Sequence, residues 1–144
     1  MIKHLLPFLI LLISLVGCDS KEDSKPGGQI GKKDDKQHLQ NTDYNVLFIG
    51  NSLTYTNNLA ELVQLNAKST MNLNIGVHMI ASGNYALIDH WSDIRMHEEI
   101  ESGLYDFVVV QQGPSSQPYG RELLLEYGTK FKALCTDNDT ELAF

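Results

Sequence analysis

The chain has 144 residues, 42% of them hydrophobic and 20% charged, and 11 Lys and Arg stand against 18 Asp and Glu for a formal net charge of −7. The length fits one domain and the composition is that of a globular protein. The acidic balance excludes a general nucleic-acid binder, which needs clustered cations to neutralise phosphates.

Residues 1–18 read MIKHLLPFLILLISLVGC. Lys3 supplies a positive n-region, and Leu5 to Val16 form an apolar core too short to span a membrane comfortably, so a signal peptide is predicted. The ending Leu15-Val16-Gly17-Cys18 resembles the bacterial lipobox, in which a signal peptidase cuts before a cysteine that is then diacylated. The resemblance implies a chain lipid-anchored at Cys18 in the bacterial cell envelope, on the periplasmic or surface face of the outer membrane. An uncleaved anchor or an ordinary secretory signal is the plainer alternative. With Cys18 carrying lipid, Cys135 has no disulfide partner and reads as a half-buried helix residue.

Residues 19–42, DSKEDSKPGGQIGKKDDKQHLQNT, hold charges, Pro, Gly and Gln with only two aliphatic residues. Such a stretch buries too little apolar surface to offset its ordering and is predicted to be a flexible tether. Its opening Ser20-Lys21-Glu22-Asp23 resembles the acidic signals that send some bacterial lipoproteins to the cell surface.

The predicted domain covers 43–144. Val46 to Ile49 is a continuous apolar run bounded by Gly50, as in a strand covered on both faces. Asn58 with Glu61 approximates a capping box, and Leu59, Leu62 and Val63 follow at helical spacing to about Lys68. A second strand fits Leu73 to Ile80 and is broken at Ala81-Ser82-Gly83-Asn84. A second helix fits Leu87 to Glu101, with Leu87, Trp91 and Ile94 on one face. A third strand fits Asp106 to Gln112, and a third helix Arg121 to Leu134, with Leu124, Tyr127, Phe131 and Leu134 aligned. Glu141 to Phe144 reads as the opening of a fourth strand. Alternation of strand and helix with short connections predicts an α/β fold with a parallel sheet. Its polar breaks, Gly50-Asn51-Ser52, Ser82-Gly83-Asn84 and Gln111-Gln112-Gly113, fall at the carboxyl ends of the strands, where such sheets gather function.

Gly50-Asn51-Ser52-Leu53, directly after the first strand, resembles block I of the GDSL-type, or SGNH, serine esterases and lipases, with Asn in place of Asp. Gly83 matches the block II glycine, and Gly113 the block III glycine, although Ser115 and Ser116 stand where that block has Asn and Asp. Gln111 and Gln112 are similar to the glutamines of divergent members, including the sialate acetylesterase-like branch. The resemblance implies a three-layer flavodoxin-like sheet, incomplete at the C-terminus. It also implies Ser52 as nucleophile, with Leu53 pinning its turn to the core. The oxyanion would be met by the Ser52 and Gly83 amides and by the side chain of Gln111 or Gln112, between which the residues do not choose. It implies no metal or organic cofactor, and a small-molecule or glycan ester as substrate.

The family's base is a histidine in a C-terminal Asp-x-x-His block, and this chain ends before one. Asp35-Lys36-Gln37-His38 fits that pattern but stands in the tether and reads as chance. His78 falls inside the second strand, and His90 and His97 on the second helix, His90 near enough to the Gly83 loop for a supporting place. Truncation is the expected explanation, with little activity from the chain as given. A non-catalytic surface lipoprotein binding a carbohydrate in the same cleft is the alternative. A phosphate binder at the turn after the first strand is less supported, since neither Gly-x-Gly-x-x-Gly nor Gly-Lys-Ser/Thr is present.

Overall fold

A computed structural model describes Lys36 and residues 38–144. The signal peptide, Cys18, the Asp35 of the Asp-x-x-His match and residues 19–35 and 37 of the predicted tether lie outside the described residues. Four strands build one sheet: β1 (Tyr44–Gly50), β2 (Ile75–Ala81), β3 (Phe107–Val110) and β4 (Glu141–Ala143). All pairings are parallel and the order is β2-β1-β3-β4, so β1 lies inside the sheet between its two successors. This order is compatible with a flavodoxin-like fold, in which the chain reverses direction across the sheet between β1 and β3.

Covering both faces of β1 explains its unbroken apolar run. Leu47 and Ile49 join Ile80, Val108 and Val110 in one core, with Leu87, Met96, Ile100, Phe131 and Cys135 from the helices packed on that face. Val46 and Phe48 face the other way, into a smaller core with Ala60, Ala67 and Ile75. The first layer comprises α3 (Leu87–Trp91), α4 (Ile94–Glu101) and α5 (Pro118–Asp137); the second comprises α2 (Leu59–Asn66), prolonged by a π-helical turn over Ala67–Met71. Asn72, in the left-handed conformation at φ 54°, ends that turn by donating its N–H to Ala67 O, a common helix stop.

Several expectations need correction. The single helix over Leu87–Glu101 is two, because the Asp93 side chain accepts from Arg95 N–H at 3.1 Å and starts α4 afresh. The restart changes the helical phase, leaving Ile94 69% exposed while Met96 and Ile100 enter the core. Asn58 does not cap α2 with its side chain; it takes a left-handed conformation and donates to the Glu61 carboxylate instead. The buried position of α2 is the small Ala60, with Ala67 buried at the start of the π-helical turn, and Leu59, Leu62 and Val63 are exposed. Cys135 is fully rather than half buried. The domain also begins before residue 43: Leu39 is buried in the larger core, and its carbonyl accepts from Asn45 Nδ2 at 3.1 Å. Gly76 makes room for this segment, since a Cβ there would lie 2.9 Å from Leu39 Cδ2.

Candidate functional site

The carboxyl ends of β1, β2 and β3 lie side by side, with Gly50 level with Ala81 and Ile49 level with Val110. Carrying the register onward brings Ser52, Gly83 and Gly113 to one edge of the sheet, at the β1/β3 reversal where open α/β sheets form their crevice. The carbonyl of Gly50 fixes this edge by accepting two donors, Ser82 N–H at 3.2 Å and His90 Nε2 at 2.8 Å.

Ser52 opens the short helix α1 (Ser52–Tyr55) and is half-buried. Asn51, 7% exposed, is the N-cap: its Oδ1 accepts from Leu53 N–H at 3.1 Å, while its Nδ2 donates to Tyr85 O at 3.0 Å. The second bond gives Asn51 a purpose the aligned aspartate could not serve, because an ionised carboxylate accepts but does not donate. Leu53, expected to pin the turn to the core, is 70% exposed on the rim, and buried Thr54 does the anchoring.

The two glutamines differ sharply. Gln112 is buried, with Oε1 accepting from Leu87 N–H at 2.8 Å and Nε2 donating to Gly113 O at 3.3 Å, so its amide ties β3 to the start of α3. Gln111 Oε1 accepts from Asn51 N–H at 3.0 Å and from the Thr54 hydroxyl at 3.0 Å. Its Nε2 is buried and has no partner among the described residues. A buried donor left unmade costs about 1–3 kcal/mol, so this group calls for a reason. Gly113 borders it, since a Cβ there would stand 3.0 Å from Gln111 Nε2 and 3.1 Å from Leu53 Cδ1.

Two backbone donors share the edge. The amides of Ser52 and Gly83 make no hydrogen bond among the described residues. Gly83 lies in an exposed loop, next to Tyr55, whose hydroxyl would be 3.2 Å from a Cβ at Gly83. Tyr85, 40% exposed, packs edge-on against His90 with ring centroids 5.1 Å apart.

None of the hydrogen bonds among the described residues ends on the Ser52 hydroxyl. His90 is 2% exposed; burial holds its pKa below the ordinary value, against the opposing pull of the Gly50 carbonyl, Asp89 and Asp93. Because a carbonyl oxygen only accepts, Nε2 is the protonated ring nitrogen and donates to Gly50 O, a supporting contact that holds the turn before Ser52. His97 bonds Trp91 O at 2.9 Å and stacks edge-on against that indole. His78 lies buried on β2 near Glu99 and Tyr105, and His38 bonds Val77 O at 2.7 Å, both back along the sheet from its carboxyl edge. No group of three metal-ligating side chains stands together among the described residues.

No family model matches the chain, and no curated protein matches it in sequence. The site thus rests on its own geometry, which joins Ser52, Gly83, Gln111 and Gly113 at one edge and assigns Gln112 a structural bond. Sequence reasoning missed Thr54 and the role of Asn51. The available signal was the four-residue step from Gly50 to Thr54, which puts a hydroxyl over a residue without a Cβ.

Proposed function

We propose that this chain carries the nucleophile and oxyanion-binding parts of an SGNH/GDSL-type serine hydrolase acting on acyl or acetyl esters, those of glycans included. The observation that carries the reading is the unpartnered Gln111 Nε2, buried at the same sheet edge as Ser52 and two open backbone amides. In this mechanism Ser52 Oγ bonds to the ester carbonyl carbon and its proton leaves to a base. The carbonyl electron pair moves onto oxygen, where Ser52 N–H, Gly83 N–H and Gln111 Nε2 stabilise it, each such donor contributing about 2.7–4 kcal/mol. Collapse expels the alcohol, which takes up the proton, and water then releases the acid.

Since no described side chain bonds the Ser52 hydroxyl, we expect turnover by this chain to be slow, of the residual kind that oxyanion donors and binding sustain without a base. That same observation favours a second reading, a non-catalytic cleft that binds carbohydrate against the rim tyrosines Tyr55 and Tyr85. p-Nitrophenyl acetate hydrolysis by the full chain and by Ser52→Ala decides: slow turnover lost in the variant supports the hydrolase, whereas identical rates refute it. Oligosaccharide binding without turnover supports the second reading.

We further propose a lipid anchor at Cys18 and residence in the bacterial cell envelope, on the strength of the Leu-Val-Gly-Cys order after a short apolar core. Equal incorporation of a clickable fatty acid by wild type and Cys18→Ala in a lipoprotein-competent bacterium would overturn this.

A further inference from the structure

We infer that Thr54 is a positioning residue, whose hydroxyl holds the Gln111 carboxamide in the one orientation that turns its NH₂ toward Gly113 and Leu53 at the carboxyl edge of the sheet. This inference rests on the hydrolase reading for its purpose, but not for its geometry.

Thr54 lies in the first turn of α1, whose N-cap is Asn51, so its hydroxyl has no helical carbonyl four residues back. The nearby Gly50 O, at the end of β1, already accepts from Ser82 N–H and His90 Nε2 and has both lone pairs engaged. The Thr54 hydroxyl, on a residue 2% exposed, donates instead to Gln111 Oε1 at 3.0 Å. Asn51 N–H donates to the same oxygen at 3.0 Å. A backbone N–H can only donate, so the carboxamide oxygen must face Asn51 and the flipped orientation would set NH₂ against N–H. With the oxygen held from two directions, Nε2 is left without a hydrogen-bond partner among the described residues. Its neighbours there are the backbone of Gly113 and the side chain of Leu53 on the rim. Glycines complete the device on both sides. A Cβ at Gly50 would lie 2.2 Å from Thr54 Oγ1 and 2.8 Å from Gln111 Oε1, and a Cβ at Gly113 would lie 3.0 Å from Gln111 Nε2. The unit Gly50–Thr54–Gln111–Gly113 thus spends one amide atom on rigidity and leaves the other buried without a partner beside Gly113 and Leu53, a donor that a small shift of the Leu53 rim would offer to an oxyanion.

The test follows the side-chain amide of Gln111 by ¹⁵N NMR in the full chain in detergent micelles, its cross-peaks assigned by their loss in Gln111→Glu. Phenylboronic acid is the anion probe: boron accepts the Ser52 oxygen, the hydroxyl proton passes to water, and a tetrahedral anionic boronate results. Wild type and Thr54→Ser should each show two well-separated Gln111 amide protons that shift on titration. Thr54→Val, which keeps the shape and removes the donor, should show them drawn together, with boronate affinity roughly tenfold weaker. If Thr54→Val fails to fold, Thr54→Ser against Gln111→Glu still decides, since only the second should lose the boronate. The inference is overturned if Thr54→Val keeps the separated amide protons and the wild-type affinity, or if Thr54→Ser loses both. A boronate that shifts no Gln111 signal in wild type while the amide pair still collapses in Thr54→Val would refute the hydrolase reading and leave the positioning intact.

Discussion

Replacing Gly50 with alanine should destabilise the domain although the backbone there suits alanine. Gly50 ends a strand, not a left-handed turn, so the substitution gains about 0.4–1 kcal/mol by restricting the unfolded chain. Against that, the new methyl falls 2.2 Å from Thr54 Oγ1 and 2.8 Å from Gln111 Oε1, both closer than a Cβ contact allows. Thr54 must rotate and give up its bond to Gln111, a loss of about 1 kcal/mol, and overpacking adds about 1–3 kcal/mol. The net cost is about 1–3 kcal/mol, a fall in Tm of roughly 5–20 °C for a domain of about 100 residues. Thermal unfolding of the full chain by circular dichroism measures it, and a double-mutant cycle with Thr54→Ala identifies the cause. Removing Oγ1 takes away the shortest contact, so the two substitutions should couple by about 1–2 kcal/mol. A stabilised Gly50→Ala, or a cost unchanged in the Thr54→Ala background, would refute the steric account.

Two other outcomes follow from buried titratable groups. His90 has a folded pKa below its unfolded value near 6.5, so the unfolded state binds the proton first and stability must fall as pH drops below about 6.5. Urea midpoints between pH 7.5 and pH 5 should decline more steeply for wild type than for His90→Gln, and equal slopes would exclude His90 as the cause. Cys135 is fully enclosed and burial pushes its thiol pKa up to about 11, so iodoacetamide at pH 8 should modify it only after unfolding. Rapid labelling of the native chain would contradict that burial.

The legible parts of this molecule were those where periodicity and breaks say the same thing. Val46–Ile49 and Phe107–Val110 are apolar on both faces because both faces are covered, and each run ends in polar or glycine residues, which marked the carboxyl edge of the sheet. What escaped depended on partners distant in sequence. The split between α3 and α4 turns on the Asp93 side chain, which as a pattern is one more polar residue within an amphipathic helix. Leu62 and Val63 followed a helical period but occupy the outer side of α2, because alanines make its contact with the sheet. The choice between Gln111 and Gln112 required knowing that Leu87 N–H and Asn51 N–H each need an acceptor. Thr54 reads as ordinary helix filling, because its partner Gln111 stands 57 residues further on.

The parallel arrangement of β1 has a kinetic consequence for the site. Its two neighbours are not hairpin partners: Tyr44 pairs with Ile75, 31 residues on, and Val46 with Phe107, 61 residues on. Loop closure of that span must precede its reward, which places such sheets among the slower-folding topologies. A chain in which β1 has met β2 alone already possesses Ser52 and the Gly83 loop, but not Gln111, which arrives only when β3 docks. Ser52 and Gln111 are therefore brought to one edge by pairings of different range, and that edge is complete only once the longest-range pairing of β1 has formed.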